Sequence, residues 1–147
     1  MTPAASERIQ QVAAVFDRAA QTYDSVGVPW FTPIAERLVR DLAQAPGEQA
    51  VDVGCGRGAA VFPLAAGVGP TGRVVGIDIA PGMITALRSD IDACGLANVE
   101  AQVMDATSPD LGGETFDLLA SSLVLFFLPE PRTALNNWHD LLVPGDG

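Results

Sequence analysis

The chain reads as an α/β protein built on a Rossmann-like, doubly wound parallel sheet. Three features carry that expectation. From residue 49 onward, short β-branched runs alternate with segments of helical spacing, the pattern of strands joined by crossover helices. Gly54, Gly56 and Gly58 follow the first of those runs at alternate positions, as a tight strand-to-helix turn requires. The fourth run, FDLLAS, is almost continuously apolar, as expected of a strand covered on both faces. The 147 residues suit one domain, and 48% apolar against 18% charged residues suffices for a core.

The elements follow in order. Ser6 is placed as an N-cap, and Ile9, Val12, Ala13, Phe16, Ala19, Ala20 and Tyr23 share one helical face, predicting a helix over 7–22. GVPW breaks it. Thr32-Pro33 then opens a second helix carrying Ile34, Leu38, Val39 and Leu42, which ends near Pro46-Gly47. Residues 1–46 are therefore expected as a helical cap, and 47–147 as the alternating unit. QAVDV (49–53) is the first strand, and 58–67 a helix with Pro63 in an early turn. GPTG turns into RVVGID (73–78), the second strand. Pro81 opens a helix whose Ile84, Leu87, Ile91 and Cys94 align, with Gly95 as its stop. VEAQV (99–103) is the third strand, FDLLAS (116–121) the fourth, and Pro131 starts a last helix reaching about Leu142.

Charge and composition exclude several classes. A net charge of −10 repels phosphate backbones and anionic headgroups, so neither nucleic acid nor a membrane surface is expected as a partner; a small-molecule substrate fits better. Two cysteines 39 residues apart and a single histidine, His139, assemble no metal site and read as reduced thiols of a cytoplasmic protein. The N-terminus has no apolar stretch of signal-peptide type, and LLASSLVLFFLP is too short to span a membrane.

Ligands of doubly wound sheets bind at the carboxyl ends of the strands. There the glycine turn lets a ligand press on bare backbone. A dinucleotide loop would place its third glycine at 59 and an apolar residue at 52; this chain has Ala59 and Asp52. A carboxylate there repels a pyrophosphate and suits an ammonium or sulfonium group. Asp78 ends the second strand, 20 residues after Gly58, where it can take a ribose hydroxyl pair or cap the next helix. Asp105 follows the third strand, as a carboxylate able to accept from an amine or as an ordinary loop acid.

Four motifs in register over about residues 16–145 resemble the class I S-adenosylmethionine-dependent methyltransferases. D-x-G-x-G-x-G (52–58) resembles their first motif, and VVGIDIAPGM their second, with Ala80 in place of the usual serine. VMDAT and SSLVLFFLPEP resemble the later two, and FDRAAQTYDSV the opening of the branch with quinone-biosynthesis and malonyl-carrier-protein methyltransferases. The resemblance implies S-adenosylmethionine as cofactor and S-adenosylhomocysteine as product. It places Asp52, Gly54, Cys55, Gly56 and Gly58 on the methionine moiety, with Ser121 near its end and Tyr23 as an aromatic lid. Asp78 falls on the ribose, Ile79 and Met83 near the adenine ring, and Asp105 with the Ala106 amide on the adenine edge. Phe126 and Phe127 stand where the family often has histidine, so no general base is assigned.

The resemblance also implies strand order 3-2-1-4, with the family's further strands missing after the LLVPGDG turn. The expectation is a cofactor half truncated after strand 4 and its helix, whose exposed strand 4 edge offers a homo-oligomer contact. Methyl transfer to a small molecule is the expected function. A non-catalytic S-adenosylmethionine- or nucleoside-binding module is the alternative.

Overall fold

The computed structural model describes residues 31–144, together with Glu7, Gln10, Gln11 and Ala14. Those four are helical, inside the segment expected as the first helix; Tyr23 and the rest of that helix lie outside the described residues. Helix α1 spans Phe31–Leu42 and ends at Ala43, whose φ of 49° turns the chain out of the helix. Thr32 sits within it rather than capping it.

Four parallel strands follow: β1 Gln49–Val53, β2 Arg73–Asp78, β3 Val99–Val103 and β4 Leu118–Ala120. Their order is β3-β2-β1-β4, as expected, with Asp52 opposite Gly76 and Val53 opposite Ile77. Helices α2 (Val61–Val68), α3 (Pro81–Ala93) and α4 (Pro131–Asp140) alternate with them.

Two boundaries differ from the sequence expectation. Helix α2 starts three residues later than predicted, which places Pro63 at its third residue. A start at 58 would have put an imide nitrogen where an intrahelical donor is needed. Strand β4 is three residues long rather than six. Phe116 leaves the ladder with β1 to pair with the chain after α4: its amide donates to Leu141 O at 2.7 Å and its carbonyl accepts from Val143 N at 2.9 Å.

Alternation along the strands sorts the core into two layers. Ala50, Val74, Val99, Ala101, Leu118 and Ala120 face α1, α2 and α3, burying Val39, Leu64, Ile84 and Leu87. Each fully buried leucine contributes about 2 kcal/mol of transfer free energy. Val51, Val53, Val75 and Ile77 face the other side, against Phe116, Leu111 and the Ala134, Trp138 and Leu141 stripe of α4. The same alternation puts Asp52, Gly76 and Asp78 on the α1–α3 side, at the carboxyl ends of the two central strands.

Candidate cofactor site

The glycine turn crosses the end of β2. The amides of Gly54 and Cys55 both donate to Ile77 O, at 2.8 and 2.9 Å. Gly54, Gly56 and Gly58 have φ of 76°, 53° and 95°, a region that side chains rarely adopt. A Cβ on Gly54 would fall inside the methyls of Val124, and one on Gly58 would lie 2.7 Å from the Phe62 ring and 2.8 Å from Leu87 Cδ1. Part of the demand for glycine is thus the close packing of the chain on itself. Arg57 pairs with Asp90 of α3 at 3.0 Å, tying the turn to that helix.

The Cys55 side chain is buried against Gly76, where a Cβ would come 2.9 Å from its sulfur, so the turn offers a ligand its backbone at this position. Burial, then the nearby Asp52 and Asp78 carboxyls, hold its thiol well above the ordinary range.

Asp78 joins both sequence readings. Its Oδ2 accepts from the Gly56 amide and its Oδ1 from the Ala80 amide, each at 2.9 Å, so it pins the turn and the start of α3 together. Burial raises its pKa, opposed by the amides of Ala80, Gly56 and Ile79. Asp52 is only 2% exposed, and no donor among the described residues reaches its carboxyl. Burial and then the charge of Asp78 push it up to about 7. Backbone donors oppose the effect of burial on Asp78, and no such donor among the described residues reaches Asp52. Such a pair suits an incoming cation.

Beyond β3, Asp105 Oδ1 accepts from the Thr107 amide at 2.8 Å. No acceptor among the described residues takes the Ala106 amide, which leaves a donor beside the free edge of that carboxylate. Ser121, just past β4, donates to Val53 O at 3.0 Å and so fastens β4 to the start of the glycine turn. Ile79 is half-buried, whereas Met83 is fully enclosed in the core and presents no surface. Asp52, the glycine turn, Asp78, Asp105–Ala106 and Ser121 therefore converge on the carboxyl ends of the four strands.

The stretch after β4 forms a 3-10 turn over Leu125–Phe127, with Leu125 and Leu128 packed on the core and Phe126 exposed. His139 is exposed in the last turn of α4, away from these strand ends. Among the described residues no three His, Cys, Asp or Glu side chains cluster as a metal site.

Sequence reasoning missed Val124, which lies over Gly54, and the pair Asn137 and Trp138. The Trp138 Nε1–H donates to Ala106 O at 2.6 Å and the Asn137 Nδ2 to Thr107 O at 2.9 Å. A tryptophan on the buried stripe of a helix signals that its N–H needs an acceptor. The sequence does not say which one.

A backbone cradle, a carboxyl awaiting a cation and acceptors at two further strand ends fit an aminoacyl sulfonium nucleoside. Comparison with known proteins agrees: residues 50–145 match the family described as methyltransferase domain. The chain belongs to the S-adenosylmethionine-dependent methyltransferases. Over 136 residues this methyltransferase domain is 45% identical to the aklanonic acid methyltransferase of Streptomyces sp. (strain C5), covering 92% of this chain and 62% of that protein. It is 40% identical to the nocamycin O-methyltransferase of Saccharothrix syringae over 88% of this chain and 46% of that one. The chain thus spans between roughly half and three-fifths of these relatives' length. Among solved structures, phosphoethanolamine N-methyltransferase 1 of Haemonchus contortus shares the fold with a TM-score of 0.76 at 17% identity. That match covers all of this chain and 32% of that one. A methyltransferase from Aquifex aeolicus shares it with a TM-score of 0.72 at 22% identity, over 90% of this chain and 68% of that one. The cofactor of the family is S-adenosylmethionine. No helix among the described residues of the methyltransferase domain is long and apolar enough to cross a membrane.

Proposed function

We propose that the protein transfers the methyl group of S-adenosylmethionine to a small molecule by direct displacement, with an oxygen as the acceptor atom. The observation that carries this reading is the meeting of Asp52, the glycine turn, Asp78 and Asp105–Ala106 at adjacent strand ends. The small-molecule acceptor rests on similarity to the aklanonic acid and nocamycin enzymes, and the oxygen on the nocamycin O-methyltransferase alone. When bound, the cofactor supplies an electrophilic methyl already attached to its leaving group. The chain's residues then have to bind, orient and exclude water. The turn at 54–58 and Asp52 take the charged methionine end, with Ser121 holding the floor of that subsite through Val53. Asp78 takes the ribose hydroxyls, exchanging one backbone donor for a ligand donor. Asp105 and the Ala106 amide take the amino and ring-nitrogen edge of adenine. The protein works in the cytoplasm, where both cysteines stay reduced.

Isothermal titration with S-adenosylhomocysteine tests the assignment. Asp78→Ala is expected to weaken binding by at least about tenfold, the loss of one or two charge-assisted hydrogen bonds. Equal affinity in the wild type and the variant would overturn the ribose site.

A further inference from the structure

We propose that Trp138 and Asn137, neighbours on α4, are positioning residues that set the base specificity of the cofactor site by clamping the 105–107 loop from behind. The inference rests on the reading that this loop faces the adenine. A peptide group is planar, and its C=O and N–H point in opposite directions. The unit joining Ala106 to Thr107 is held at both ends. Its carbonyl accepts from Trp138 Nε1 at 2.6 Å, and its N–H donates to Asp105 Oδ1 at 2.8 Å. The indole thus orients the Asp105 carboxylate through a single rigid plate. The next carbonyl, Thr107 O, accepts from Asn137 Nδ2 at 2.9 Å, so the plate cannot swing about its far end.

The anchor itself is rigid. Trp138 is 6% exposed and lies in the core with Ala134 and Leu141, whose stripe presses α4 onto Val51, Val75 and Ile77. Hydrogen bonds in series through one peptide also polarise one another, which strengthens the hold on Oδ1.

The consequence is selective. With Oδ1 engaged, Oδ2 remains as an acceptor beside the Ala106 donor. That pair matches a base with an amino group next to a ring acceptor. It mismatches hypoxanthine, whose oxo group meets the carboxylate and whose ring N–H meets the amide. A loop released from α4 loses that discrimination before it loses general affinity.

The experiment measures dissociation constants of the full chain for S-adenosylhomocysteine and S-inosylhomocysteine, with melting temperatures alongside. The wild type is expected to favour the adenosyl ligand. Trp138→Phe keeps the ring's packing and removes the N–H, and should cut that preference by on the order of tenfold, the worth of one buried hydrogen bond. Asn137→Ala, at a half-buried position, leaves the core intact and should cut it about threefold. It carries the test alone if the phenylalanine variant does not fold. An unchanged preference in a folded variant overturns the clamp while leaving the cofactor site standing. A wild type without preference overturns the adenine reading of the loop, and the clamp with it.

Discussion

Asp52 is where a single position departs most from what its identity suggests. An aspartate is ordinarily ionised above pH 4, yet this one sits behind the glycine turn with a pKa of about 7. Between those values the native chain holds a proton that the unfolded chain has released. Stability is therefore greatest below the unfolded value and is lost as pH rises to about 7. The raised pKa of Asp78 adds to the same trend. Asp52→Asn removes the larger part. Its melting temperature should exceed the wild type's at pH 8, by an amount reflecting roughly 2–4 kcal/mol, and converge with it only below about pH 4. Parallel melting curves at all pH values would count against a buried, proton-holding carboxyl. On the proposed assignment of Asp52 to the methionine end, the same variant should bind S-adenosylhomocysteine at least about fivefold more weakly, as no carboxyl is left there to ionise beside the ligand's ammonium. The position of the acid could be read from D-x-G-x-G-x-G. Its protonation could not, because that depends first on burial beneath the turn and then on the strand register that sets Asp52 opposite Gly76 and so beside Asp78.

Elements show the same division. Strands β1, β2 and β3 begin and end where the sequence pattern places them, because turn residues bound each one, although β3 lies at the edge of the sheet. Strand β4 was overestimated because Phe116 is apolar for another reason: it bridges to the segment after α4, a contact between residues 26 positions apart. The glycine turn was recognisable as a close approach, but the approaching group proved to include Val124 and Phe62 of the chain itself. Gly54→Ala should therefore cost about 1–3 kcal/mol in urea denaturation, from the left-handed φ and the overlap with Val124. Adding Val124→Ala should return part of that loss, because only the overlap is relieved. Strict additivity of the two substitutions would show that Val124 does not rest on the glycine.

For the whole molecule, the two-sided sheet explains how distant parts of the chain meet at one rim. Carboxyls on the α1–α3 side hold one end of the site, and α4 reaches across from the opposite layer to hold the loop at the other. The 3-2-1-4 order was implied by the family resemblance, but the role of α4 was not, since nothing in PRTALNNWHD names the carbonyls it meets. Cofactor binding should stabilise the ensemble as a unit. At a hundredfold excess over its dissociation constant, S-adenosylhomocysteine adds about 2.7 kcal/mol, a rise of roughly 10 °C for a domain of this size. A melting temperature that ignores the ligand would contradict a site shared by four strands.

The seat of Cys55 against Gly76 has a practical outcome. The chain's two thiols differ sharply: Cys94 is exposed just after α3, and Cys55 is sealed beneath the glycine turn. A thiol reagent should modify one group quickly and the other only when the turn lifts from β2. The slow phase is then a clock for that opening, built into the native sequence, and needs no introduced label. Ligands that seat on the turn should slow this clock, whereas those bound elsewhere should leave it running at its own rate.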